Sequence, residues 1–311
     1  MPEPRWVSAH IFYQGDHDTL LTSLVLPLVR DLSGRGLART WFFLRYWDGG
    51  PHIRLRVLAP DDHAGEIRTR VEGAAAEYLA RHPSSPVLTP EEYVGVAAHL
   101  AGREGVGHER EMRPIDSVAF LPYRREHARY GTGKAIEAVE DHFGESSALA
   151  LAILEGGVDR RARAAFALSA IFLANAVGSP RQADLAERFG RNGLRLVPDA
   201  VAADDEGLYR AQRDTLLGLT DRWWTSARAG PDAVRGGRDA QSRWLASLFR
   251  LRDRLTDLPD PPPFGDVADV CGHLLANRLG VGPEQEGRAR YFLARVMADR
   301  RWPVAAAEGA R

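Results

Sequence analysis

The 311-residue sequence predicts an α+β protein, with a small antiparallel sheet near the N-terminus followed by a mostly helical second half. Residues 52–58 alternate between polar and apolar side chains, which is typical of a half-buried strand. From residue 146 onward, apolar residues recur at helical spacing, and glycine or proline separates the segments. We therefore expect an α+β part over residues 1–145 and a helical part over residues 146–311, packed as one integrated domain.

Three strands are predicted in the first sixty residues. The first covers residues 6–13 and places His10 on the more polar of its two faces. The next two cover residues 39–46 and 52–58. They are joined by the segment Asp48-Gly-Gly-Pro51, whose glycines allow positive φ and whose proline cannot continue a ladder. The last two strands are therefore expected to pair as an antiparallel hairpin.

Helices are predicted on both sides of the hairpin. The first covers residues 19–33 and is capped by Asp16 or Asp18, while Pro27 predicts a kink or a late restart within it. The second covers residues 61–82, where two aspartates open it. The order of elements is then β-α-β-β-α, with helices on one face of the sheet.

The middle of the chain is weakly patterned. Residues 84–90 form a proline-rich connection, and residues 93–114 are difficult to assign. Within that stretch, residues 107–113 are expected to form a further strand that is charged on both faces. A helix is then predicted over residues 134–143.

The second half is predicted to be helical throughout. Trp223, Trp224 and Trp244 are expected to anchor the packing of these helices, and the alternative is that they line a groove for a peptide. The predicted helices cover residues 147–154, 159–175, 181–189, 209–227, 240–254, 267–279 and 287–298.

Charge and composition exclude several classes of protein. The 41 basic and 42 acidic residues give a net charge of −1, so no general attraction to nucleic acid or to a membrane surface is expected. Cys271 is the only cysteine, which excludes an internal disulfide and suits a reducing compartment. Neither a signal peptide nor a membrane-spanning apolar run is evident. We therefore expect a cytoplasmic protein.

The hairpin carries arginines where a core would be expected. Residues His52, Arg54 and Arg56 share one face of the second strand. Arg45 lies on the other strand, in a segment that is otherwise too apolar to face water. The simpler interpretation is that Arg54 and Arg56 lie on a solvated strand face. The functional one is that all three guanidinium groups converge on one face of the sheet and bind an anion, because arginine stays charged and matches a carboxylate with two hydrogen bonds.

A second group of ionisable residues lies in the segment 123–131, between Tyr123 and Gly131. On a helix or a tight turn, Glu126 and Arg129 would be neighbours three residues apart. They could form an ordinary surface ion pair. Alternatively, Glu126 holds Arg129 in an anion pocket or itself moves a proton.

His273 lies in an apolar predicted helix that is expected to be buried. A lone histidine on such a helix is more often a satisfied core residue than a catalyst. If it faced an arginine cluster, its cationic form would be disfavoured and the neutral imidazole could act as a base.

No cofactor or metal is implied by any motif. His108-Glu-Arg-Glu111 lacks the second histidine of a zinc-binding helix. Gly131-Thr-Gly-Lys134 is similar to part of a phosphate-binding loop, but it lacks the leading glycine and the spacing.

Three motifs together resemble a known family. They are Trp41-Phe-Phe-Leu-Arg-Tyr-x-Asp-x-x-x-His-Ile-Arg-Leu-Arg56, Tyr123-x-x-Glu-x-x-Arg-Tyr-Gly131 and His273-x-x-x-Asn-Arg278. In this order and at these distances they resemble the C-terminal domain of lantibiotic dehydratases, which also occurs as a stand-alone protein in thiopeptide biosynthesis. The resemblance extends over residues 6–297. It does not include the glutamylating domain of a full-length dehydratase.

The resemblance implies an enzyme that tailors a ribosomal precursor peptide. In one branch of the family, Ser or Thr residues that a partner enzyme has glutamylated lose glutamate, which gives dehydroalanine or dehydrobutyrine. In the other branch, a pyridine synthase joins two dehydroalanines by a formal [4+2] aza-cycloaddition and expels water and the leader peptide. The partners implied are the precursor peptide and, for elimination, a separate tRNA-dependent glutamylating dehydratase subunit.

The motif residues of the eliminating branch can be carried over to this sequence. The arginines would bind the glutamyl carboxylates and the enolate, and His273 would transfer protons. Glu126 would be a second proton carrier or would orient Arg129. The carried-over residues are Arg45, Arg54, Arg56, Glu126, Arg129 and His273. The remaining motif residues expected to contact substrate are His52, Tyr46, Tyr123, Tyr130 and Asn277.

Because every residue that elimination uses is present, the sequence favours elimination over cyclisation. In the cyclase alternative, Tyr46, Tyr123 and Tyr130 would donate hydrogen bonds to the developing ring. A third hypothesis is a non-catalytic module that binds the precursor peptide, for example by adding a strand of the leader to an edge of the sheet.

Overall fold

The computed structural model describes residues 5–60, 63–105, 107–193 and 199–300. It confirms the α+β class, with a small antiparallel sheet near the N-terminus and helices in the second half. The chain divides into two compact units. The first contains residues 1–128 and 132–158, and the second contains residues 129–131 and 159–311.

The first 158 residues contain the sheet and six helices within the described ranges. A π-helical turn, Leu21–Val25, lies between the first two of these helices. In chain order the elements are β1 (Arg5–Phe12), α1 (His17–Leu20), α2 (Leu26–Gly34), β2 (Thr40–Tyr46), β3 (His52–Ala59), α3 (Ala64–Arg81), α4 (Pro90–Glu104), β4 (Ser117–Phe120), α5 (His127–Tyr130) and α6 (Lys134–Glu155).

The sheet has the strand order β2-β3-β1-β4, and all of its neighbouring strands are antiparallel. The predicted hairpin and the β-α-β-β-α order are therefore confirmed. The strand expected over residues 107–113 is wrong, because that segment is irregular. Its backbone is held at the β2–β3 turn by isolated hydrogen bonds: Arg113 N–H donates to Gly49 O at 2.8 Å, and Glu109 N–H donates to Asp48 Oδ1 at 2.7 Å.

The first helical segment follows the chemistry of its sequence. Asp16 is the N-cap, and its carboxylate accepts the backbone N–H groups of Asp18 and Thr19. Pro27 lies in the first turn of α2, directly after the π-helical turn. Because proline lacks an N–H group, an α-helix restarts most easily with proline in its first turn, as the sequence predicted.

One face of the sheet forms the core of the first unit. Arg68 of α3 lies 4.2 Å above the ring of Phe120, which pairs with Ala9, so α3 lies on the Ala9 face. Ile67 and Val71 of α3 are fully buried there. The two aspartates predicted to open this helix, residues 61 and 62, lie outside the described residues.

The β2 edge is covered by α6, which merges two helices that the sequence predicted separately. The backbone N–H of Phe43 donates to Ser147 Oγ at 3.2 Å. A Cβ atom at Gly144 would lie 2.7 Å from Thr40 Oγ1, so this glycine permits a close approach. A peptide strand could therefore not add to the β2 edge without displacing α6.

The second unit is helical, as predicted. Most of its helices begin and end within about four residues of the expected positions, but the helix predicted over residues 209–227 begins ten residues earlier, at Asp199. Trp244 is fully buried, its Nε1–H donates to Ala170 O at 3.0 Å, and Trp223 is also buried. Both residues therefore anchor helix packing. The elements of this unit are α7 (Arg160–Val177), α8 (Gln182–Gly193), α9 (Asp199–Arg228), a 3₁₀ turn (Pro231–Val234), α10 (Ala240–Thr256), α11 (Phe264–Arg278) and α12 (Pro283–Asp299).

None of the helices in the described ranges combines the length and the apolar composition needed to cross a bilayer.

Helices α7 and α11 pack through small residues. A Cβ atom built on Gly178 would lie 2.7 Å from the Cα of Gly265, and one built on Gly272 would lie 3.2 Å from the Cα of Ile171. Two glycines therefore set how closely these backbones approach.

Gly178→Ala should destabilise the second unit, because its methyl group would meet backbone that cannot rotate away. We expect a loss of about 1–3 kcal/mol in the free energy of unfolding, measured by urea denaturation. Gly190→Ala is the matched control, since Gly190 lies in α8 with no atom within 4 Å of a built Cβ. That change should be neutral or stabilising by up to about 1 kcal/mol. Equal effects would contradict the packing argument.

Candidate functional site

The arginine face of the sheet is assembled by the register of its strands. Strand β3 places His52, Arg54 and Arg56 on the face opposite the core. Ser8 of β1 pairs with Arg56, and His10 pairs with Arg54, so both point to this face. The site therefore includes two residues that the motifs did not identify. The signal for His10 was present, because strand alternation already placed it opposite the apolar residues of β1.

Arg45 does not belong to this face. It pairs with Ile53, whose side chain lies in the core, while its neighbours Leu44 and Tyr46 point to the arginine face. The Arg45 guanidinium instead contacts the carboxylate of Asp18, with Nη2 2.5 Å from Oδ1. The expectation that three arginines converge on one face is therefore wrong. Residues paired across two strands point to the same face, so Arg45 lies on the face of Ile53, opposite to Arg54 and Arg56.

Contacts with Tyr46, His52 and Asp48 help to hold Arg54 in place. Its guanidinium carbon lies 3.4 Å from the centroid of the Tyr46 ring. Its Nε–H donates to Nε2 of His52 at 3.2 Å, and Nη2 lies 3.9 Å from Oδ2 of Asp48. The guanidinium is thus oriented before any ligand arrives, which reduces the entropy lost on binding.

Two buried histidines beside the arginines stay neutral. His52 donates Nδ1–H to Gly50 O at 2.8 Å, because its Nε2 accepts from Arg54. His10 stacks on His52 with ring centroids 4.9 Å apart. Burial and the nearby Arg54 and Arg56 lower the pKa of His10 to about 3, and burial with Arg54 lowers the pKa of His52 to about 2.

Arg56 lies between aromatic rings, 4.2 Å from the centroid of Tyr123 and 5.4 Å from that of Phe42. Burial lowers the pKa of Arg56 to about 10, so the group remains a cation at neutral pH. Its Nε and the Oγ of Ser8 are both buried, and neither has a hydrogen-bond partner among the described residues.

A buried carboxylate supports the Tyr123 side of the face. Glu140 is 2% exposed and accepts two hydrogen bonds of 2.8 Å from Arg125. Burial raises the pKa of Glu140, and burial together with Glu140 raises the pKa of Tyr123. Tyr123 is therefore a neutral phenol, and its hydroxyl group donates a hydrogen bond to the Glu140 carboxylate. Sequence reasoning missed both Arg125 and Glu140, because a pair 15 residues apart has no local spacing signal.

His273 lies on α11 of the second unit, and its side chain is 52% exposed. The expectation of a buried histidine is therefore wrong, since the core-facing side of this helix carries other residues, including the fully buried Arg278. The Nδ1 atom of His273 lies 2.7 Å from Oε2 of Glu286. Asn277 lies one turn further along the same helix.

The remaining motif residues are divided between the units. Glu126 belongs to the first unit, whereas Arg129 and Tyr130 belong to the second. The expected pairing of Glu126 with Arg129 stays a prediction. The first unit thus brings together His52, Arg54, Arg56, Tyr46 and Tyr123, and the second contains Arg129, Tyr130, His273 and Asn277. In the part of the chain that the structure describes, no group of three His, Cys, Asp or Glu residues could hold a metal ion.

Acid should destabilise the protein through its neutral histidines. The folded-state pKa values of His10 and His52 lie near 3 and 2, below the ordinary value of 6.5, so the unfolded state binds more protons between these limits. The free energy of unfolding should therefore fall as the pH drops below about 6.5, by up to about 1.4 kcal/mol per pH unit for each histidine.

The test is urea denaturation between about pH 5 and 7. His10→Phe keeps a ring on His52 and should remove about one proton from the dependence. His99→Gln, a change at an exposed histidine of α4, should leave the dependence unchanged. The same pH dependence in wild type and His10→Phe would show that His10 is not held neutral.

The chain is similar to one protein family and to several solved structures. The family described as "Lantibiotic biosynthesis dehydratase C-term" matches residues 6–297. A search of curated proteins gave no match. Among solved structures, the pyridine synthase TbtD from thiomuracin biosynthesis aligns with a TM-score of 0.75 and 22% identity, over 95% of this chain and 98% of that chain.

Two further solved structures share the fold. TsrL aligns with a TM-score of 0.64 and 17% identity, over 94% of each chain. The tRNA-dependent lantibiotic dehydratase MibB from Microbispora sp. 107891 aligns with a TM-score of 0.58 and 21% identity, over 96% of this chain and 28% of MibB. At these identities the likeness shows the fold alone. The family match covers nearly the whole chain, and the protein therefore belongs to the C-terminal family of lantibiotic biosynthesis dehydratases.

Proposed function

We propose that this protein eliminates glutamate from glutamylated Ser or Thr residues of a ribosomal precursor peptide and leaves dehydroalanine or dehydrobutyrine. The observation that carries the proposal is the arginine face. Arg54 is oriented by its neighbours, and Arg56 is a partly buried cation held between the rings of Tyr123 and Phe42 on the same face of the sheet. Such a face suits a carboxylate or another anion.

The reaction is a β-elimination. A base removes the α-proton of the esterified residue, the electron pair forms the Cα–Cβ double bond, and the Cβ–O bond breaks so that glutamate leaves as a carboxylate. The enzyme must therefore supply a base, stabilise the enolate, and bind the departing carboxylate.

Arg54 and Arg56 are assigned to the negative charges of this reaction, namely the glutamyl carboxylates and the enolate. Tyr123 is assigned to substrate binding beside Arg56, because its ring packs on that guanidinium group and its neutral hydroxyl is held by Glu140. Arg45 has no such role in our proposal, although the family motif includes it, because it points to the other face and contacts Asp18.

His273 is assigned to proton transfer. Its Nδ1 is engaged with Glu286, so proton exchange with a substrate would use Nε2. Glu126 is a second proton carrier or orients Arg129, as the family resemblance implies. Tyr46, Tyr130, His52 and Asn277 are assigned to positioning the peptide or the residues around it.

The partners in this proposal are the precursor peptide and a separate tRNA-dependent enzyme that glutamylates it. MibB is described as tRNA dependent, and this chain aligns with 28% of it. In this proposal the other enzyme glutamylates the peptide first, and this protein then acts on it in the cytoplasm, where the precursor is made.

The second candidate function is a [4+2] aza-cyclase that forms a pyridine from two dehydroalanines. The observation that favours it is the alignment with the TbtD pyridine synthase over 98% of that chain. In this case the arginines would guide the peptide, and the tyrosines near them would donate hydrogen bonds to the developing ring.

A mass-spectrometric assay on two synthetic peptides separates the candidates. The first peptide carries a glutamyl ester on serine, and the second carries two dehydroalanines flanked by thiazoles. Loss of a glutamate mass from the first supports elimination. Loss of water and the leader from the second, with formation of a pyridine, would replace elimination by cyclisation. Binding of either peptide without turnover would contradict both and support a binding module.

Arg56→Lys should lower kcat/KM for glutamate loss by about 10- to 100-fold, because lysine cannot offer the paired donors of a guanidinium. The matched control is Arg68→Lys. Arg68 also lies on an aromatic ring, that of Phe120, but on the opposite face of the sheet, and its replacement should change kcat/KM by less than about two-fold. Equal losses in both variants would remove the arginine face from the mechanism.

His273→Ala should preserve the fold and peptide binding and abolish glutamate loss, since no other group is assigned to exchange the same proton. Circular dichroism and peptide binding are measured beside turnover. A folded variant that still releases glutamate at the wild-type rate would exclude the imidazole from proton transfer.

A further inference from the structure

A buried chain of ion pairs includes His273. Its Nδ1 lies 2.7 Å from Oε2 of Glu286, and Oε1 of Glu286 accepts Nε–H of Arg290 at 2.9 Å. Nη1 of Arg290 donates to Oδ1 of Asp269 at 2.7 Å, and the same oxygen accepts from Nδ2 of Asn175 at 2.8 Å. Each link is a charge-assisted hydrogen bond of normal length.

The chain of ion pairs is held by secondary structure. Asp269 and His273 are four residues apart on α11, and Glu286 and Arg290 are four residues apart on α12. Side chains at this spacing lie on the same face of a helix. Glu286 is 7% exposed and Arg290 is 4% exposed, whereas His273 is half-exposed. The charges are therefore fixed in the protein interior, and the imidazole extends from them toward solvent.

Glu286 is ionised in this setting. Burial alone would raise the pKa of Glu286, but the hydrogen bond to His273 and the charges of His273 and Arg290 lower it to about 2. Its place in the first turn of α12 favours negative charge as well. A carboxylate can only accept a hydrogen bond, so Nδ1 of His273 must be the donor.

We propose that Glu286 is a positioning residue for His273: it accepts Nδ1–H, fixes the tautomer in which Nε2 exchanges protons, and stabilises the imidazolium that forms when Nε2 takes a proton. Arg290 and Asp269 hold Glu286 in this geometry. The inference rests on the proposed function, in which His273 transfers a proton. None of the three motifs contains Glu286, which lies 13 residues after the histidine.

Glu286→Gln tests the positioning role, because it replaces two acceptor oxygens by an amide with one carbonyl oxygen that accepts and one NH₂ group that donates. Arg290 Nε donates to Oε1 and should keep the amide oxygen on its side. The amide NH₂ group then faces Nδ1 of His273 and donates to it, so the imidazole must carry its proton on Nε2. The variant should invert the tautomer, and Nε2 would lose its ability to accept a proton.

The measurement is ¹⁵N NMR of the histidine rings in the full chain, at a pH where the imidazole of His273 is neutral, with assignment by comparison with His273→Ala. The wild type should show the Nδ1–H form and Glu286→Gln the Nε2–H form. Glu284→Gln is the matched control, since this exposed glutamate also lies in the first turn of α12. The control should retain the Nδ1–H form.

An Nε2–H tautomer in the wild type would overturn the inference without any variant, and so would an unchanged tautomer in a folded Glu286→Gln protein. Turnover gives a second readout: kcat for glutamate loss should fall by about 100-fold or more in Glu286→Gln, with KM nearly unchanged. If the tautomer inverts but His273→Ala still eliminates glutamate, then the positioning role stands and the proposed role of His273 in the reaction fails.

Discussion

The pairing of β3 on both of its sides is the constraint on which the first unit depends. A strand with two neighbours has no freedom to slip by one residue, because a slip would send every core side chain to the polar face. Ile53, Leu55 and Val57 are almost completely buried on one face, and this burial fixes Arg54 and Arg56 on the other. Burial of the aliphatic residues that alternate with Arg54 and Arg56 along β3 thus stabilises the register that places the two guanidinium groups on one face.

The arginines lower the pKa of the two histidines on the same face of the sheet. Placing cations beside buried imidazoles disfavours imidazolium, so His10 and His52 contribute hydrogen-bonding and stacking surface without adding charge. The second unit uses the opposite arrangement at His273, where Nδ1 lies 2.7 Å from a carboxylate oxygen of Glu286. The nearby charged groups are therefore cations for His10 and His52 and an anion for His273.

Much of this architecture could be predicted from local pattern. The alternation in β3, the turn at Gly49-Gly50 and the cap at Asp16 depend on residues close in sequence, and the structure confirms the hairpin and the helical second half. The predicted break between two helices at residues 143–147 is wrong. The apolar pattern is only weakly interrupted there, and α6 continues through it while packing on β2.

Long-range partners could not be predicted in the same way. Glu140 contacts Arg125 across a turn, and Glu286 meets His273 from a different helix, so neither contact follows a helical or strand period. The misplacement of Arg45 had another origin. Large apolar and aromatic residues lie on both faces of β2, so its sequence shows no polar–apolar alternation. Only the pairing of Arg45 with Ile53 shows which face Arg45 is on.

The turn between β2 and β3 has a further consequence. Gly50 has a φ of 106°, and a Cβ atom there would lie 2.9 Å from Cγ of Met112. The carbonyl oxygen of this same residue accepts Nδ1–H of His52, whose other nitrogen orients Arg54. The direction of the Arg54 guanidinium group thus depends on a backbone conformation that favours glycine, so a side chain at residue 50 would change the orientation of an arginine four residues away.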